Sequence, residues 1–159
     1  MRQGPTTPAT LALDASGVWF RGHSYDHDPD TDSFGLEAAA ALRVEPERVF
    51  KTLLADVDGS LVVGVVPVTS MLHLKSLAAV VGGKRASMAD PTVAQRRTGY
   101  VVGGISPVGQ KHQHATVLDE TAELYETIFV SGGRRGFDIE LTPAALACVT
   151  HARVVDIAW

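Results

Sequence analysis

The chain has 159 residues, enough for one domain with a substantial core, so a single domain over 1–159 is expected. Hydrophobic residues make up 45% and charged residues 20%, both ordinary for a soluble globular protein, and no apolar run reaches the roughly 18 residues of a membrane span. The net charge of −4 argues against an extended phosphate-binding surface, and the lone cysteine, Cys148, rules out an intrachain disulfide and points to a cytoplasmic location.

The N-terminal segment Met1–Pro8 lacks a long apolar stretch, so no signal peptide is expected. Thr7 is placed to cap a short helix, with Pro8 at its first position and Gly17 just past its end. Val18–Tyr25 reads as a strand and runs into the turn-rich Asp26-His27-Asp28-Pro29-Asp30. Ser33 then caps an alanine-rich helix, Phe34–Arg43, and Pro46 separates it from Val49-Phe50-Lys51-Thr52-Leu53-Leu54-Ala55. That apolar run is too short for a typical helix and reads as a strand. Asp58-Gly59 is a hairpin signal leading into Leu61–Val66, apolar on both faces and therefore central.

Leu72–Val81 has helical spacing and Gly82 stops it. Lys84–Met88 reads as a short extended piece. Asp90-Pro91 opens a helix that ends at Thr98, with Gly99 as its stop. Tyr100-Val101-Val102 reads as a strand entering the glycine loop Gly103–Gly109. Thr127–Val130 and Phe137–Leu141 read as strands joined by a second glycine loop, Ser131–Gly136. Thr142-Pro143 begins a helix through Val149, and Val154–Ile157 is a last short strand. Helices interleaved with strands and hairpins indicate an α/β or α+β fold with a mixed sheet.

Lys51 is the residue that stands out. Alternation along the strand puts it on one face with Val49, Leu53, Ala55 and Val57, all apolar. Such a lysine either snorkels from a strand end or lines a site, where desolvation weakens its hold on charge. The two glycine loops offer backbone N–H groups for an anion or a developing oxyanion. Neither has the spacing of a dinucleotide or phosphate loop. No Gly-x-Ser-x-Gly elbow is present, Ser106 has no evident relay, and Cys148 beside Leu146 and Val149 reads as core. The chain therefore reads as lacking its own covalent nucleophile. His23, His27, His112 and His114 form no metal pattern, His112 and His114 would share a strand face, and neither metal nor cofactor is expected. Residues 84–135 hold seven of the 14 Lys and Arg against five acids, a local excess of only +2.

Several segments resemble the YbaK family of free-standing aminoacyl-tRNA editing proteins, relatives of the editing insertion domain of bacterial prolyl-tRNA synthetases. They are His23-Ser24-Tyr25-Asp26-His27-Asp28-Pro29, Phe34-Gly35-Leu36-Glu37-Ala38-Ala39, Phe50-Lys51-Thr52-Leu53-Leu54, Met88-Ala89-Asp90-Pro91, Thr98–Lys111 and Val130–Gly136. The resemblance covers roughly residues 11 to 157. It implies a mixed, partly barrel-like sheet with surrounding helices. It also implies removal of cysteine from mischarged tRNA(Pro), and from Cys-tRNA(Cys) as a further substrate, alongside prolyl-tRNA synthetase in trans. The family's essential lysine falls on Lys51, and its other pocket positions fall on Tyr25, Phe34, Thr52, Gly103, Ser131 and Asp138. On this resemblance the substrate thiol attacks its own ester, with Lys51 at the ester or terminal-nucleotide oxygens and the Gly103-Gly104 backbone at the carbonyl. Ser131 and Asp138 then position the aminoacyl group or terminal adenosine. One departure is visible: the usual Lys-Lys after the glycine loop is Lys111-His112, which bears on tRNA contact. The alternatives are a deacylase for another small aminoacyl group, such as Ala-tRNA(Pro), and a non-catalytic module binding tRNA or a synthetase.

Overall fold

Thr7 starts the first helix as its composition requires. Its hydroxyl accepts from the Thr10 N–H while the Thr10 hydroxyl accepts from the Thr7 N–H, a reciprocal capping box. Helix α1 (Pro8–Ser16) then ends on Gly17 in the left-handed conformation. The computed structural model describes residues 4–159, so Met1–Gln3 of the N-terminal segment lie outside the described residues.

Strand β1 (Arg21–Ser24) is followed by the Asp26–Asp30 loop and helix α2 (Phe34–Leu42). Ser33 sits at the N-cap of α2, but its side chain makes no cap bond, contrary to expectation. Strands β2 (Phe50–Val57) and β3 (Ser60–Pro67) form the anticipated hairpin, in which Asp58 (φ 50°) and Gly59 (φ 92°) supply the two positive φ angles of a tight primed turn. Helix α3 (Leu74–Val80), strand β4 (Ala86–Met88) and helix α4 (Pro91–Thr98) come next, then β5 (Ala115–Asp119), β6 (Ile128–Arg134), β7 (Phe137–Leu141), α5 (Pro143–Thr150) and β8 (Arg153–Val155). Among the described residues no helix is long and apolar enough to cross a membrane.

The strands form two sheets. β1-β7-β6 is antiparallel, and β4-β2-β3-β5-β8 is mixed, antiparallel through β4, β2 and β3 and parallel through β3, β5 and β8. One parallel bridge, Val49 to Phe129, links them. The mixed α/β architecture is the expected one, but neither sheet closes into a barrel. β3 is central and buried along most of its length, as its two-sided apolar sequence requires. The main core joins Phe50, Leu54, Val63 and Leu118 to Ile128, Phe137 and Ile139 of the smaller sheet. A second cluster covers the opposite face of β2 and β3 with Leu77 of α3. Each such aliphatic side chain contributes about 1.5–3 kcal/mol on full burial.

Four expectations need correction. Tyr100–Val102 is not a strand, because the Tyr100 hydroxyl donates to the Val108 carbonyl at 2.7 Å and the segment folds onto its own loop. Ser131–Arg134 is not loop but the end of β6, with a register shift between Ser131 and Arg134. Cys148 is exposed rather than core, because α5 buries Leu146 and Thr150 and turns Cys148 outward. His112 and His114 precede β5 and do not share a strand face.

Candidate active site

β4 pairs with β2 only at Ala55–Val57. The preceding stretch of β2, through Lys51 to Leu54, therefore lies uncovered by β4 and forms one wall of a cavity of about 340 Å³. The first turn of α2 supplies Phe34 and Gly35, β4 and α4 supply Met88 and Pro91, and the glycine loop supplies Val102, Gly103 and Ile105. Tyr25, Ser131 and Asp138 close the far side from the smaller sheet and the residue after β1. The lining is mostly apolar with a few polar groups, the pattern of a small-ligand pocket.

Of the sequence-derived residues, Lys51, Tyr25, Phe34, Thr52, Gly103, Ser131 and Asp138 all line this cavity. Gly104 does not. Its N–H donates to the Val101 carbonyl at 2.8 Å, and a Cβ there would lie 2.8 Å from Arg134 Cα. The Gly104 donor expected at the carbonyl is spent in a turn here, and the residue's smallness lets the loop pack on β6. Gly103 differs, since its N–H donates to nothing among the described residues. Its φ of +88° and the Phe34 ring, 2.7 Å from where a Cβ would stand, both call for glycine.

Burial sets the electrostatics. Lys51 is partly desolvated, which pushes its ammonium below the ordinary lysine value. Asp138 is 6% exposed and burial raises its carboxyl from 3.8 to about 7. Neither an ion pair nor a hydrogen bond holds its carboxyl among the described residues. Burial, then the Asp138 and Glu37 carboxylates, push the Tyr25 hydroxyl above its usual value. Thr52 Oγ1 is buried without a hydrogen-bond partner among the described residues. A buried hydroxyl and a buried carboxyl left unpartnered in the lining of one cavity are costly unless a ligand satisfies them.

The walls are braced from behind. Glu37 accepts from the Asp28 N–H at 2.6 Å and bonds His27 Nδ1 at 2.8 Å, and the His27 ring stacks on Phe34 at 5.9 Å. The glycine loop is held by Gln95, which accepts from the Val102 N–H at 2.9 Å. Gln110 bridges the Ser106 carbonyl (2.9 Å) and His114 Nδ1 (2.8 Å). Sequence reading missed Glu37, Gln95, Gln110 and His114 as supports, because no local pattern marks a residue that acts through a loop. Histidine and cysteine are absent from the lining, so no side chain there forms a nucleophile–base pair with imidazole. Among the described residues no cluster of three His, Cys, Asp or Glu could hold a metal ion.

An apolar cavity with one desolvated lysine and one buried carboxyl, on this two-sheet fold, defines a small-substrate enzyme site. Residues 28–148 match the family model of the aminoacyl-tRNA editing domain, and the chain belongs to that family of deacylases. It is 38% identical over 136 residues, covering 84% of this chain and 82% of the relative, to an Enterococcus faecalis protein named "Putative Cys-tRNA(Pro)/Cys-tRNA(Cys) deacylase EbsC". It is 33% identical over 100 residues to a proline–tRNA ligase of Maridesulfovibrio salexigens, covering 63% of this chain and 17% of that enzyme. A solved structure described as "a putative trans-editing enzyme for prolyl tRNA synthetase" superposes with a TM-score of 0.85 at 25% identity, covering 98% of this chain and 99% of that one.

Proposed function

We propose that residues 1–159 work as one editing domain that removes cysteine from mischarged tRNA(Pro) in trans, with the substrate thiol as the nucleophile. The carrying observation is the cavity itself: Lys51 and Asp138 face a common apolar space that offers no histidine or cysteine of its own. A cysteinyl ester brings the missing nucleophile. Its sulfur bonds to its own carbonyl carbon, the bond from that carbon to the ribose oxygen breaks, and the thiol proton ends on the ribose hydroxyl. The products are a cyclic thioester and free tRNA. The protein contributes orientation and charge stabilisation.

In this reading the Lys51 ammonium meets the ester or terminal-nucleotide oxygens, and the unspent Gly103 N–H meets the carbonyl oxygen. Ser131 and Asp138 hold the aminoacyl group or terminal adenosine, with Tyr25, Phe34 and Thr52 as walls. The likeness to a relative named for Cys-tRNA(Pro) and Cys-tRNA(Cys) supports the choice of cysteine. The likeness to part of a proline–tRNA ligase supports prolyl-tRNA synthetase as the partner in trans and the cytoplasm as the place of work. The test is parallel deacylation of Cys-tRNA(Pro), Cys-tRNA(Cys) and Ala-tRNA(Pro), with Lys51→Ala as control. Release of cysteine from tRNA(Pro) that depends on Lys51 is expected. Preferential release of alanine would replace the substrate assignment, and Lys51→Ala at wild-type rate would remove the lysine from the chemistry.

A further inference from the structure

The cavity mouth carries a cation that this chemistry leaves unused. Arg135 lies in the turn between β6 and β7 and is exposed. Its Nε–H donates to the Val102 carbonyl at 2.9 Å, and its guanidinium carbon sits 5.0 Å over the Phe34 ring. Phe34 and Val102 both line the cavity and Arg135 does not, so the guanidinium stands on the rim.

Two contacts fix the group and leave its fork open. A guanidinium has five N–H bonds, and among the described residues only the Nε one of Arg135 is used. Among the described residues no carboxylate pairs with Arg135. Arg48 makes the contrast. It too lies over an aromatic ring, Phe129 at 5.1 Å, but its Nη2 is engaged by Thr127 at 2.6 Å and approaches Glu140 at 3.8 Å. Arg135 has the same stacking without that occupant. A pre-oriented planar fork is matched to phosphate oxygens, and holding it in place beforehand lowers the entropy lost on binding.

We propose that Arg135 is a positioning residue that holds a phosphodiester of the substrate's 3′-terminal nucleotides at the cavity mouth. The inference rests on the editing reading above. An aminoacyl ester inside the cavity leaves the ribose at its mouth, and the phosphate attached to that ribose follows a few bonds away. Because Arg135 leans on Phe34 and Val102, a phosphate seated on it also steadies the two walls that face the ester.

The test compares wild type, Arg135→Gln and Arg135→Lys on cysteinyl-tRNA(Pro) and on the cysteinyl ester of adenosine, which carries no phosphate. With charged tRNA, Arg135→Gln is expected to lower kcat/KM about tenfold, mainly through KM, and to flatten its salt dependence by about one contact. Arg135→Lys keeps the salt dependence and recovers part of the KM, as a point charge does. The adenosine ester is cleaved by all three proteins within about twofold, the spread allowed when no phosphate contact is at stake. Equal losses on both substrates would make Arg135 a wall support only and overturn the proposal, as would no loss on either. Wild-type protein inactive on both substrates overturns the editing reading and this inference with it, a pattern distinct from a failure specific to Arg135.

Discussion

Lys51 shares its strand face with Val49, Leu53 and Ala55, and three of these four positions belong to apolar clusters. The fourth opens into the cavity, so the lysine keeps its charge at a desolvation cost. Lys51→Ala should slow deacylation at least about 100-fold, in the range for loss of one charge-stabilising donor, and leave the melting temperature unchanged or raised. Single-turnover rates and thermal unfolding of the same preparation check both. Asp138 gives a pH signature. Its folded value, about 7, lies above the unfolded 3.8, so the stability it contributes is fully present below 3.8 and is lost as pH rises toward 7. At about 1.36 kcal/mol per pKa unit the loss is on the order of 4 kcal/mol. Asp138→Asn should therefore be more stable than wild type at pH 8 and lack this slope between pH 4 and 7, read by urea unfolding. Both residues were legible in the sequence: Lys51 from its misfit with an apolar strand face, Asp138 only through the family resemblance. The carboxyl's burial was not legible, because it depends on β7 pairing between β1 and β6 and on residues distant in sequence, Phe34 and Gly103 among them, closing around the same cavity.

At the level of elements, the caps and the hairpin follow from local chemistry. Thr7, Gly17, Gly99 and Asp58-Gly59 act within a few residues, and the sequence specifies them directly. Strand β5 was invisible in that reading. Its Ala-Thr-Val-Leu-Asp is short and ends on a charged residue, yet Asp119 is fully buried and accepts the N–H groups of Ile157 (2.9 Å) and Ala158 (3.1 Å). Its other oxygen caps the next turn by accepting from the Thr121 N–H at 3.2 Å, a local role, but the Ile157 and Ala158 partners are far away in sequence and only the tertiary structure supplies them. The glycine loop shows the same distinction between local and long-range demands. Gly17 has φ +75° with open space around it, whereas Gly109 has φ +72° and a Cβ there would lie 2.5 Å from the Pro8 carbonyl oxygen. Gly17→Ala should cost about 1 kcal/mol, the left-handed penalty alone. Gly109→Ala should cost at least about 2 kcal/mol more through the clash with α1. Denaturant midpoints of the two variants against wild type measure the difference, and equal costs would mean the loop moves freely off α1.

The whole molecule carries a net charge of −4, and residues 84–135, which hold seven of the 14 Lys and Arg, have a local excess of only +2. Long-range attraction for a polyanion is accordingly small, and recognition falls to the cavity and its rim. The dependence of log kcat/KM on log salt should be shallow, with a slope no steeper than about −3, corresponding to a handful of phosphate contacts. A steeper slope would reveal a basic surface that the charge distribution does not suggest. The central claim is that the substrate supplies the nucleophile in a cavity whose protein groups only orient and stabilise charge. The most direct measurement is the release rate of 2-aminobutyrate, in which a methyl group replaces the thiol, from tRNA(Pro) beside that of cysteine. Cysteine should be released and 2-aminobutyrate should stay on the tRNA, slower by at least about 100-fold for want of an oriented nucleophile. Release of both at similar rates would mean that water attacks the ester and would contradict the account.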